Sequence, residues 1–167
     1  MPQCFYKHRA ERPGSGDHLP HKNDTHARLT PHKWIIPAHG TTDGTFEDVG
    51  DTAFLVGKML SLTSANPSAL VIDAGDISEG NPIGDMNGNG SIHGFYTLLS
   101  AKLTSQRSRG MDAVVVGNHD VRDASYIANL EDLNKTVPVI SMNVRDISTH
   151  KPHFNAYTIV MVNGHYR

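Results

Sequence analysis

A single cysteine, Cys4, in 167 residues excludes an intrachain disulfide and leaves the redox compartment unread. It reads as an ordinary N-terminal thiol. Charge of one sign is also lacking: 15 Lys and Arg face 17 Asp and Glu, a net charge of -2, which gives no case for nucleic acid or an anionic membrane as partner. No run approaches the roughly 18 apolar residues of a membrane span, and the N-terminus MPQCFYKHRAERPGSG has no apolar export core, so no signal peptide is legible and the chain reads as soluble and unexported. Hydrophobic residues (38%) and charged residues (19%) are sparse for a tightly packed domain, whereas 15 Gly, 9 Pro and 11 His point to long loops and many potential ligands. The length fits one domain, burying about two-thirds of its unfolded surface.

Residues 1–33 are polar and show no helical or strand period, and 1–22 are expected to be a flexible lead-in to a domain over 23–167. Order is expected near Trp34. From Thr45, the residues Val49, Ala53, Val56 and Leu60 recur at helical spacing, Thr45 could cap, and Glu47 and Asp48 suit a first turn; a helix is predicted up to Asn66-Pro67. Ser68–Ile72 is short and apolar, as a covered parallel strand should be. A Gly/Asn-rich loop from Gly75 to Gly90 leads to a helix marked by Ile92, Phe95, Leu99 and Leu103, then a strand over Met111–Val116. Ile127, Leu130 and Leu133 predict another helix, Val137–Val144 another strand, and Tyr157–Val162 runs into Asn163-Gly164, a hairpin signal. This alternation predicts a layered α/β fold, a mainly parallel sheet with flanking helices, whose ligand crevice lies at the carboxyl ends of the strands.

Two polar clusters fall at those ends. The strand Val114-Val115-Val116 stops in Gly117-Asn118-His119-Asp120, and Leu70-Val71-Ile72 stops in Asp73-Ala74-Gly75-Asp76. Upstream, Asp24-Thr25-His26 sets a carboxylate and an imidazole two residues apart, so that an extended or turning backbone could bring both to one cation. Asp76 has room beside Gly75 to bridge two ions, with a turn or cap carboxylate as the plain alternative. Asn118 offers a neutral amide oxygen, His119 a proton-handling group facing substrate, and Gly117 a sharp turn. A turn with polar tips is the alternative there.

Together, Asn23–Arg28, Asp73–Gly80 and Gly117–Asp120 resemble the first three motifs of the calcineurin-like metallophosphoesterases, and Val137–Val144 (VPVISMNV) resembles the segment that follows in their 5'-nucleotidase branch. The likeness covers about residues 23–167. It implies a two-metal hydrolase of phosphomonoesters or cyclic phosphodiesters, nucleotides in particular. Asp24 and His26 would hold one divalent ion, Asp76 would bridge, and Asn118 would bind the second. A hydroxide between the ions would attack phosphorus in line while His119 protonates or stabilises the leaving oxygen. The branch pairs this His with an Asp a few residues on. Here Asp120 and Asp123 both qualify, because the spacing is one residue longer than the branch pattern. Mn, Fe, Zn or Mg would suit these donors. The family is often exported.

The resemblance also implies further His ligands downstream, for which His150, His153 and His165 are the late candidates, His165 being expected to face solvent in a hairpin. The chain thus reads as a truncated, partial catalytic domain whose exposed half-sheet favours self-association. One alternative is a catalytically inactive fragment. Another is a calcium loop over residues 85–96, with Asp85, Asn87 and Asn89 as oxygen donors, Gly90 at the sharp turn, and Tyr96 where a bidentate Glu is needed.

Overall fold

A computed structural model describes residues 19–36, 44–49 and 52–167. Its centre is a four-stranded parallel sheet in the order β1-β4-β5-β6. These strands are β1 (His21–Lys22), β4 (Ile72–Asp73), β5 (Ala113–Val115) and β6 (Val139–Ile140). The register sets Lys22 beside Asp73, Asp73 beside Val114, and Val114 beside Val139. All three pairs run parallel, so the turns that follow β1, β4 and β5 emerge at the same sheet edge. The layered α/β architecture matches the sequence reading.

β1 lies within the segment expected to be lead-in, and residues 1–18 lie outside the described residues. Although Lys22 is a poor residue for a covered strand, it is buried here because its ammonium is paired with Asp73 and Tyr96. The helix predicted from Thr45 is corrected. Gly44–Val49 (β3) instead pairs antiparallel with His32–Ile36 (β2), in keeping with the β-branched and aromatic content of both segments. Helix α1 begins at Thr52, whose hydroxyl donates to the Leu29 carbonyl at 2.9 Å, and runs to Ala65. It buries Leu55, Met59 and Thr63, a stripe turned by one residue from the predicted one.

Helix α3 (Gly90–Arg107) buries Ile92, Tyr96, Leu99 and Leu103, and α4 (Ala124–Leu133) buries Tyr126, Leu130 and Leu133. With Met59, Val71, Val114, Val137 and Val139 these side chains, Tyr126 apart, form one core. The predicted loop Gly75–Gly90 contains the short helix α2 (Pro82–Asp85) and a 3-10 turn over Met86–Asn89. The third predicted strand stops at Ile140, because Ser141 bonds Asn143 and accepts the Val144 N–H, closing a turn. The hairpin forms as expected: β7 (Met161–Val162) and β8 (His165–Tyr166) flank Asn163 and Gly164, both at positive φ. Among the described residues no helix is long and apolar enough to cross a membrane.

Candidate metal centre

The site is built from three turns. The first, after β1, zips onto the second, after β4: the backbone N–H groups of Asp24, His26 and Ala27 donate to the carbonyls of Gly75, Asp76 and Ile77 at 2.9–3.0 Å. In these two turns Asp24, His26, Ala27, Asp76 and Glu79 adopt positive φ, five of the ten described non-glycine residues that do so. Such strain costs about 1–3 kcal/mol per residue and gathers where function over-determines the backbone.

The third turn, a 3-10 segment over Asn118–Val121, abuts the second through two glycines. Gly75 sits at φ 102, and a Cβ there would meet the Gly117 nitrogen and the Val115 carbonyl at 2.9 Å. At Gly117 a Cβ would lie 2.1 Å from Asp76 Oδ1. That oxygen accepts the His119 N–H at 3.0 Å. Asp120 locks the junction. Wholly buried, it accepts the N–H groups of Asp76, Gly117 and Ser78 at 2.8–3.0 Å. Burial pushes its pKa up, against the pull of the Ser78 side chain and of the Gly117 and Ser78 N–H donors.

Beneath the turns lies a buried network. Asp73, fully covered, binds the Lys22 ammonium and the Tyr96 hydroxyl through one oxygen and the Gly75 N–H, at 3.0 Å, through the other. Burial lowers the Lys22 pKa and raises that of Tyr96; Asp73 opposes the first shift and adds to the second. The network ties β1, β4 and α3 to the backbone that carries Asp24 and Asp76.

Above it, His26, Asp76 and His119 offer ligand atoms that all lie within 4.8 Å of one another, the one such group of His, Cys, Asp and Glu side chains among the described residues. The His26 and His119 rings meet edge to face with centroids 4.9 Å apart. His26 Nδ1 lies 3.2 Å from the Ser78 carbonyl, an acceptor that puts the proton there and leaves Nε2 as the free donor atom. The Asp24 carboxylate stands 3.8 Å from Nε2. Two imidazoles and carboxylate oxygens on half-exposed positions suit a borderline divalent cation, so this donor set fits a metal ion.

The sequence-derived residues are therefore only partly assembled. His26 and Asp76 are brought together, and Asp24 lies beside them. Asn118 is exposed at the start of the third turn, and His119 is part of the His26–Asp76–His119 cluster. Neither carboxylate named for His119 bonds its ring: Asp120 is engaged with backbone, and Asp123 caps α4, accepting from Ser125 and Tyr126. The ring partner is Glu79, whose Oε2 lies 2.6 Å from His119 Nδ1 and raises the His119 pKa. Glu79 was not singled out from the sequence, although it sits three residues beyond Asp76 in the same motif. The calcium-loop reading is corrected, because the chain is helical from Gly90 onward, and its twelfth position, Tyr96, is bonded to Asp73.

The fold is the one found in solved structures of two nucleotidases and a sulfate thiohydrolase. No protein-family model and no curated protein matches the sequence. Among solved structures, the NAD nucleotidase NadN of Haemophilus influenzae superposes with a TM-score of 0.65 at 22% identity, over 89% of this chain and 24% of its own. A 5'-nucleotidase precursor from Thermus thermophilus gives 0.57 at 24% identity over 89% and 26%, and the sulfate thiohydrolase SoxB from Thermus thermophilus gives 0.62 at 18% over 93% and 35%. The chain thus spans about a quarter to a third of the length of these structures.

Proposed function

We propose that this chain forms part of a metal-dependent phosphoester hydrolase acting on small phosphomonoesters or cyclic phosphodiesters, nucleotides in particular. The observation that carries the reading is the convergence of His26, Asp76 and His119 from three turns onto one point. Asp24, His26 and Asp76 would hold a first divalent ion and Asp76 and Asn118 a second. When bound, such cations supply positive charge to the phosphoryl oxygens and lower the pKa of water.

The chain's own residues do the rest. The Lys22–Asp73–Tyr96 network and the Asp120 clamp hold the ligand turns in their strained conformations, so little reorganisation is needed when substrate arrives. His119, held protonated more readily by Glu79, is placed to donate a proton to the leaving oxygen. The exposed amide of Asn118, the preceding residue, would contribute an oxygen without adding negative charge.

Hydrolysis of p-nitrophenyl phosphate, its bis ester and AMP with added Mn²⁺ tests this reading, alongside Mn²⁺ calorimetry. Asp76→Asn should abolish tight Mn²⁺ binding and lower turnover by about 100-fold or more, the scale of losing an electrostatic group at the reacting centre. His119→Ala should lower turnover. Activity and Mn²⁺ affinity indifferent to both changes would overturn the assignment.

A further inference from the structure

We infer that Glu79, and neither Asp120 nor Asp123, is the positioning carboxylate of His119. Its effect on turnover rests on the acid role just proposed, but its effect on the ring does not. Four carboxylates are candidates by chain position or proximity, and three are committed. Asp120 is buried under three backbone N–H donors. Asp123 is fixed at the start of α4 by the Ser125 N–H and hydroxyl and the Tyr126 N–H. Asp76 faces the His119 backbone through Oδ1 and belongs to the ligand cluster.

Glu79 alone reaches a ring nitrogen, Oε2 to Nδ1 at 2.6 Å. The carboxylate is itself held. It sits on a backbone at φ 58 followed by Gly80 at φ 91, and its other oxygen lies 3.7 Å from Arg122 Nε. Arg122 in turn approaches Asp85 at 3.9 Å and the Tyr126 ring, with Tyr126 Oη donating to Asp85 at 3.0 Å. Glu79 thus joins the second turn to α2 and α4 through Arg122 and Tyr126. A carboxylate bonded to Nδ1–H fixes the tautomer and turns the ring, so that Nε2 is the nitrogen presented outward.

Two measurements on the full chain separate this inference from the reading beneath it. Long-range ¹⁵N–¹H spectra of the metal-free protein, with the His119 signals identified by their loss in His119→Ala, should show a single Nδ1–H tautomer. Glu79→Gln should convert this to a tautomer mixture, and Glu79→Ala more fully, while the circular dichroism spectrum is unchanged. In steady-state kinetics Glu79→Gln should lower kcat by about 10–100-fold with little change in KM, and should add no further loss in a His119→Ala background. An unchanged His119 tautomer in both Glu79 variants, or an equal loss of kcat in the His119→Ala background, would overturn the inference. If the parent chain hydrolyses nothing, the phosphoesterase reading fails, and the tautomer spectra still decide what Glu79 does.

Discussion

Acidification should destabilise the protein through His93. This imidazole lies on α3 against α4, is 5% exposed, and has no well-formed hydrogen bond at either ring nitrogen. Burial pushes its pKa down from the ordinary 6.5 to about 4, with the Asn129 backbone and, less, Asp132 on α4 pulling the other way. Between those two values the unfolded chain binds a proton that the folded chain does not. The stability contributed by a neutral His93 is therefore present in full above 6.5 and is lost as pH falls toward 4. From about pH 7.5 to about pH 5, the linkage relation puts the loss at about 2 kcal/mol. Urea unfolding at both pH values, for the parent chain and for His93→Leu, isolates this contribution because the other titrating groups cancel between the two proteins. The parent should lose about 2 kcal/mol more than the variant on acidification. Parallel losses in the two proteins would refute the argument that His93 is buried neutral.

Lys22→Met leaves Asp73 as a buried carboxylate without its cation and should cost about 3–5 kcal/mol in urea unfolding; a loss under about 1 kcal/mol would mean that the pair is dispensable. Gly117→Ala drives a methyl to within 2.1 Å of Asp76 Oδ1, so Mn²⁺ affinity measured by calorimetry should fall by about 10-fold or more. Gly94→Ala on α3, with nothing within 4 Å of the added methyl, is the matched control and should leave Mn²⁺ affinity unchanged while stabilising the helix by up to about 1 kcal/mol.

Where a segment's fate depends on its own residues, the sequence is a good guide. The apolar spacing of Ile92, Leu99 and Leu103 makes α3, Asn163-Gly164 makes the hairpin, and the apolar runs ending in Asp76 and Asn118 make β4 and β5 with their turns at one edge. Thr45–Val49 was misread because helical spacing and β-propensity coexist there, and pairing with His32–Ile36 settles it. Lys22, a poor residue for a covered strand, is accommodated because Asp73 and Tyr96, 51 and 74 positions away, supply its partners.

The same division runs through the site. Sequence alone determined which residue types end β4 and β5, and so that Asp76 and His119 could meet at one sheet edge; that His26 joins them depends on β1, which the polar segment before it did not announce. It could not determine what each carboxylate does. Asp120 and Asp123 stand next to His119 in the chain, yet backbone donors occupy both. Glu79, 40 positions away, reaches the ring because the second turn folds back beside the third. Hydrogen-bonding capacity is spent on whichever donors the fold brings closest, and that allocation belongs to tertiary structure.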